Sequence, residues 1–76
     1  MSTELQAEVE RIKESLSKGC MVFIGNRRVV DIDVIKGKKG GLIAVVKTTN
    51  GTLMVYLNKL ITEYRITVVC NGHDKQ

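Results

Sequence analysis

The chain has 76 residues, a formal net charge of +4, two cysteines, and neither proline nor tryptophan. This length allows a single domain, 1–76, whose core buries only about 60% of the surface that the unfolded chain exposes. Two cysteines are too few for a disulfide-rich secreted scaffold, and no apolar run is long enough to cross a bilayer. Residues 1–19 are charged where a signal peptide needs an apolar segment. We therefore expect a cytoplasmic protein that supplements its small core by oligomerisation.

A helix is predicted over residues 4–18. Four apolar residues recur at steps of four, three and four, which places them on one stripe of that helix: Leu5, Val9, Ile12 and Leu16. Thr3 and Gln6 have the spacing of a capping box, and Lys18 with Gly19 is typical of a helix end. The stripe is expected to dock on a sheet.

After the helix the hydrophobic period changes to two, which predicts a strand-rich body over residues 20–70 and a polar tail over 71–76. Val30, Ile32 and Val34 alternate with two aspartates and are expected to share a buried face. The predicted strands follow in chain order: 21–24, 30–34, 42–49, 52–57 and 66–70.

Asn50-Gly51 predicts a hairpin with a type I′ turn, because both residues accept a positive φ. A turn at these two residues would place Val46 opposite Val55. Both faces of the hairpin are then apolar, one with Ala44, Val46, Val55 and Leu57, the other with Ile43, Val45, Met54 and Tyr56. The predicted fold is mainly β (α+β): an N-terminal helix followed by a five-stranded, strongly bent antiparallel sheet or small barrel, covered by the helix or by a neighbouring subunit.

The residue types needed for catalysis are sparse. The single histidine, His73, lies in the tail without the partners that orient a ligand or base. Cys20 and Cys70 lack CxxC spacing and are expected to be buried structural thiols. Asp31 and Asp33 are interpreted as the solvated side of a strand. The glycines in 36–41, KGKKGG, match neither a Walker motif nor a dinucleotide fingerprint. We expect no enzyme, no metal site and no cofactor.

The distribution of charge points to an anionic partner. Five of the eight acidic residues precede residue 32, and four of those lie on the predicted helix. The cations of the body fall mostly in or beside turns: Arg27, Arg28, Lys36, Lys38, Lys39 and Lys47. Lysines flanked by glycine allow backbone N–H groups and ammonium groups to reach a phosphate together. Three aromatic residues are too few for a dedicated base-stacking platform. A solvated turn that keeps a small β protein soluble is the alternative interpretation.

A capped helix followed by five short, bent strands resembles the Sm/LSm/Hfq family of small β-barrels. The stretch LMVYLNKLI, 53–61, is similar to the fourth strand and following turn of Hfq-type proteins. The resemblance implies that Tyr56, Asn58 and Lys59 lie near the RNA-contacting rim of a ring. The lysine-histidine pair of Hfq is replaced by Leu57 and Asn58, and the Gly and Asn signature of the first Sm motif is not recognisable. Other SH3-like barrels, PRC-type barrels among them, fit GLIAVV and RITVV nearly as well.

These observations lead to two functional hypotheses. The first is a non-enzymatic small-barrel protein, SH3- or Sm-like, that acts as a homo-oligomer, with a regulatory role, and binds nucleic acid, RNA being slightly favoured over DNA. The second is a protein-binding adaptor or structural subunit that uses its apolar sheet face and helix stripe, with the basic turns serving solubility. No membrane partner is expected in either case.

Overall fold

The computed structural model of the chain describes residues 3–70. It has an α+β, mainly-β fold in which one helix precedes a five-stranded antiparallel sheet. A second, short helix lies between the last two strands. The elements in chain order are α1 (Thr3–Ser17), β1 (Met21–Ile24), β2 (Arg27–Lys36), β3 (Leu42–Thr48), β4 (Gly51–Tyr56), α2 (Leu57–Glu63) and β5 (Ile66–Val69). The predicted tail at 71–76 lies outside the described residues. The predicted cap at Thr3 depends on a side chain that the structure does not describe.

Helix α1 packs through the predicted stripe. Val9 and Ile12 are buried, and Leu5 and Leu16 pack at the margin of the same core. The helix ends as its sequence predicts: Gly19 has a φ of 87°, and the amide of Cys20 donates to the carbonyl of Ser15 at 3.0 Å. These features define a Schellman motif, in which a left-handed residue lets the chain reverse and satisfy the last carbonyls. The chain therefore leaves α1 directed into β1. Neither helix of residues 3–70 has the length and apolar character needed to span a membrane.

The strand order of the sheet is β4-β3-β2-β1-β5, with antiparallel neighbours throughout. Within residues 3–70 the sheet does not close, so β4 and β5 are its two edges. The core lies between the sheet and the two helices, and its largest fully buried side chains come from four elements: Val22, Ile24, Ile32, Val46, Leu57 and Leu60. The sheet is an open, curved layer covered on one face by helices.

Strand β2 takes part in both halves of the sheet and contains a register shift between Val29 and Asp31. A β-bulge of this kind adds one unpaired residue and bends the strand. Here the extra residue is Val30, whose side chain is 58% exposed, while Val29 and Ile32 are buried. The prediction that Val30 belongs to the buried face was therefore wrong. Simple alternation of apolar and polar residues does not reveal an inserted residue in a strand.

The turn between β3 and β4 differs from the predicted type I′ turn. Gly51 pairs with Thr48, so the two turn residues are Thr49 and Asn50, and Asn50 does not have a positive φ. The buried Thr48 hydroxyl explains this geometry, since it accepts a hydrogen bond from the Asn50 amide at 3.1 Å and donates to the Gly51 carbonyl at 2.8 Å. A side-chain bond of this type competes with the ladder for the turn amides.

The same change moves the β3–β4 ladder by two residues. Val46 pairs with Leu53 and not with Val55, which pairs with Ala44. Because side chains alternate with a period of two, a shift of two leaves each residue on its predicted face. Ala44 and Val46 are buried, and Met54 and Tyr56 are exposed. The two predicted faces are confirmed within the hairpin although the predicted pairing was wrong. Leu57, which was predicted to end the buried face, is buried as the first residue of α2 instead.

Cys20 and Cys70 form a disulfide whose Cα atoms are 4.4 Å apart. This corrects the prediction of buried free thiols, because Cys20 is half-buried and Cys70 is exposed. The pairing follows from register: Met21 lies opposite Val69, so the next step outward places Cys20 opposite Cys70. Facing residues of an antiparallel pair are close enough for such a bond.

Candidate nucleic-acid interface

The KGKKGG stretch forms an ordered hairpin connection. The amide of Gly40 donates to the carbonyl of Gly37 at 3.0 Å, and Gly40 has a φ of 91°. Gly37 and Gly41 close the connection through a second hydrogen bond at 2.6 Å. This is the three-residue hairpin loop in which a tight turn is followed by a left-handed residue, a position that suits glycine. The glycines therefore hold Lys38 and Lys39 at the tip of the turn.

The turn forms one wall of an open cleft of ≈560 Å³. The other walls are the end of β4, the start of α2 and one side chain of α1. The lining residues are Leu5, Gly40, Gly41, Leu42, Tyr56, Leu57, Asn58 and Lys59. The cleft thus brings together two groups of predicted site residues. One is the glycine-rich turn, predicted from its charge, and the other is Tyr56, Asn58 and Lys59, predicted from the family resemblance.

Helix α2 sets the positions of the two polar residues in the cleft. Leu57 and Leu60 are fully buried, and they anchor the helix in the core. Asn58 and Lys59 lie between these two anchors and are both exposed. Because residues three apart share one helix face, the residues between them must face away from that face. Burial of the leucines therefore presents Asn58 and Lys59 to solvent at the mouth of the cleft.

Tyr56 joins the turn to the helix. It is the last residue of β4 and lies opposite Ile43 in the ladder. The residue is 53% exposed, and two atoms of its ring lie within 4 Å of the position that a Cβ atom on Gly41 would occupy. An aromatic ring that lies beside the turn and remains open to solvent offers a flat surface on which a base can stack.

Three of the predicted basic residues lie at the opposite end of the sheet. Arg27 and Arg28 begin β2, whereas Lys36 is the last residue of this ten-residue strand, roughly 30 Å away at the usual rise per residue. The amide of Thr49 donates to the carbonyl of Arg28 at 3.0 Å, so the β3–β4 turn lies beside this pair. Lys47 faces Asp31 across the β2–β3 ladder. The structure therefore divides the predicted basic residues into two groups, one at each end of the sheet.

The ion pairs of residues 3–70 all involve α1: Arg11 with Glu8, Lys18 with Glu14, and Lys13 with Asp33. Within the same residues, the cations at the glycine-rich turn and on α2 form no salt bridge. Two of the carboxylates of α1, Glu8 and Glu14, are therefore paired with neighbouring cations. The ammonium groups beside the cleft are available to an external anion.

Asp31 and Asp33 are both exposed, and each accepts a hydrogen bond from the amide of the following residue, at 2.9 and 3.1 Å. These contacts agree with the interpretation of a solvated strand side. Among residues 3–70, no group of three or more His, Cys, Asp or Glu side chains is placed to hold a metal ion. His73 lies outside the described residues.

Sequence reasoning missed helix α2 and the cleft. The signal for the helix is present, since Leu57, Leu60 and Ile61 have the i, i+3, i+4 spacing of a helix face. The helix is only seven residues long and directly follows a strand, so its first leucine also fits the alternation of β4. The cleft depends on residues from four separate elements, whose proximity no local pattern contains.

No protein-family model, curated protein or solved structure matches the chain.

Proposed function

We propose that the protein is a non-enzymatic nucleic-acid-binding protein whose binding site is the cleft between the glycine-rich turn and α2. The observation that supports this best is that Gly40 and Gly41 of the glycine-rich turn line one cleft with Tyr56, Asn58 and Lys59. Lys38 and Lys39 directly precede these glycines at the tip of the turn. Such a site combines cations for phosphate, a ring for stacking and an amide for base edges. It suits a single strand, because a ring that stacks on a base needs that base to be unpaired.

RNA is the preferred ligand in this proposal. The helix-then-five-strand layout agrees with the layout on which the resemblance to Sm/LSm/Hfq proteins rests. The Lys36 side chain, at the end of β2, extends the positive surface on the side of the turn. Arg27, Arg28 and Lys47 lie too far away to join the same site and are left out of it.

Self-association is part of the proposal. The face of the sheet opposite the helices carries an apolar surface that the rest of residues 3–70 leaves exposed or half-buried: Ile35, Ile43, Val45 and Met54. A small core leaves much to gain from covering such a surface with a second copy. Closed cyclic symmetry is the usual arrangement for soluble homo-oligomers.

The same surface supports the rival hypothesis of an adaptor, in which a different protein covers it. Met54 is 59% exposed and Ile35 is 44% exposed on this face, and exposed apolar side chains that form a contiguous patch mark protein–protein interaction sites. An adaptor would leave the cleft without a ligand. The two hypotheses therefore differ in what binds at the cleft end of the molecule.

The test is binding of a fluorescein-labelled single-stranded RNA of about 12 nucleotides. This length is within the range that one small single-strand-binding domain usually covers. We expect saturable binding that weakens as salt rises, and weaker binding of a duplex with the same sequence. Sedimentation of the same sample should give a mass above the 8.5 kDa of one chain. Absence of RNA and DNA binding at low salt, with the protein folded, would favour the adaptor.

A cytoplasmic location remains a prediction. The Cys20–Cys70 disulfide bears on it, because structural disulfides persist mainly in oxidising compartments. A cytoplasmic protein would hold this pair reduced for much of the time. The state of this bond therefore depends on the compartment in which the protein works.

A further inference from the structure

Strand β5 is weakly anchored by side chains. Of its four residues only Ile66 is half-buried, while Thr67, Val68 and Val69 are exposed. Ile66 and Val68 line a pocket of ≈220 Å³ between β5 and α1. The strand is held by its ladder with β1 and by one hydrogen bond from Gly25 to Arg65 at 2.8 Å. A four-residue edge strand with so little buried apolar surface belongs to the low-stability end of a fold.

The disulfide lies at the free end of this weak strand. Cys70 directly follows β5, and Cys20 directly precedes β1, so the bond closes the ladder where it would otherwise fray. Cys70 is exposed and Cys20 is half-buried, so a thiol in solution can reach the bond. Accessible disulfides are the ones that exchange with thiol reductants.

We propose that the Cys20–Cys70 disulfide is a reversible redox clasp that fixes β5 to β1, and that its reduction releases β5 while the rest of the fold persists. Without the bond, β5 keeps four ladder pairs and one half-buried side chain. The other strands keep the contacts of the main core. Release is therefore a local event at one edge of the sheet.

The chemical step is thiol–disulfide exchange with a dithiol. One thiolate of the reductant attacks a sulfur of the disulfide, and the bond between Cys20 and Cys70 breaks to give a mixed disulfide and one cysteine thiolate. The second thiol of the reductant then displaces the other cysteine. Two electrons pass to the protein, both cysteines are protonated from solvent, and the reductant leaves as its own disulfide.

Two consequences follow for the rest of the molecule. Leu57 and Leu60 anchor α2 independently of β5, so the cleft is expected to survive reduction. β5 is also one of the two edges of the sheet, so its release makes β1 the edge to which another chain could add a strand. This second consequence rests on the self-association proposed above.

The experiment measures amide hydrogen exchange of the full chain in three states: air-oxidised, treated with dithiothreitol, and re-oxidised with oxidised glutathione. Alkylation and mass measurement first establish that the oxidised protein has no free thiol. We expect reduction to speed exchange of Thr67–Val69 about tenfold or more, and that of β3 less than about twofold. Re-oxidation should restore the original rates. The variant Cys20→Ser, Cys70→Ser should match the reduced state and not respond to dithiothreitol.

Three results would overturn the clasp: alkylation of both cysteines in the oxidised protein, unchanged exchange in β5 on reduction, or an equal loss of protection in every element. The last result would show that the disulfide stabilises the whole fold and not β5 alone. Sedimentation of the same samples separates the two proposals. If β5 is released on reduction and the chain is monomeric in both states, the clasp is supported and self-association is refuted. If the protein is an oligomer and β5 does not respond to reduction, self-association is supported and the clasp is refuted.

Discussion

The ring of Tyr56 lies beside the position that a side chain at Gly41 would occupy. A Cβ atom added to Gly41 would be 3.5 Å from Cε1 of the tyrosine and 3.7 Å from Cδ1. These are ordinary van der Waals distances, so a methyl group at Gly41 would contact the ring without displacing it. The glycine-rich turn and the end of β4 therefore lie side by side where the cleft opens.

Replacement of Tyr56 by alanine should weaken binding of single-stranded RNA, because it removes the ring on which we expect a base to stack. The expected loss is about 1–3 kcal/mol of binding free energy, the usual range for one base–aromatic stack. Fluorescence anisotropy measures it, and thermal melting checks the fold. Tyr64→Ala is the matched control, since Tyr64 is also partly exposed but lies at the far end of α2. Equal affinity of the two variants would remove Tyr56 from the site.

The two ends of the sheet can be compared directly. Lys38→Ala with Lys39→Ala removes two cations beside the cleft, and Arg27→Ala with Arg28→Ala removes two cations from the opposite turn. Only the lysine variant should lower the slope of log affinity against log salt, by about 0.7–0.9 for each phosphate that the variant no longer neutralises. Both pairs are exposed, so stability should change little in either variant. A lower slope in the arginine variant alone would place the interface at the other end.

Backbone conformation predicts losses of stability of different size for two glycine substitutions. Gly19→Ala should destabilise the protein by about 1 kcal/mol, because alanine is strained in the left-handed conformation that ends α1. Gly41→Ala should cost much less, since Gly41 does not have a positive φ and its added methyl group meets only the tyrosine ring. Urea denaturation of both variants measures the difference. Similar midpoints would indicate that α1 can end without the Schellman motif.

Patterns within single elements predicted much of the fold. The stripe of α1 and its glycine stop were correct, and so was the membership of the two hairpin faces. These features depend on residues close together in the chain, where periodicity and turn preference are direct signals. The fold class follows from them, because one amphipathic helix and five strands have few ways to bury their apolar faces.

The errors share a different origin. The bulge at Val30 arises from one inserted residue, and the turn at Thr48 arises from the two hydrogen bonds of one side-chain hydroxyl. Neither changes the hydrophobic pattern. The Cys20–Cys70 disulfide depends on the pairing of the first and last strands. The cleft depends on four elements at once. Such features need tertiary register, which a local reading of the sequence does not supply.

The order of strands also bears on how the chain folds. β1, β2, β3 and β4 are joined in chain order by three short hairpin turns, whereas the pairing of β5 with β1 joins Val69 to Met21, across most of the chain. Contacts between distant residues carry the larger loop-closure entropy, so they form after local ones. We expect the four-stranded meander to fold first and β5 to dock last. A newly made chain would therefore carry an unpaired β1 edge until its last strand arrives, which makes this edge the point most open to pairing with the wrong chain.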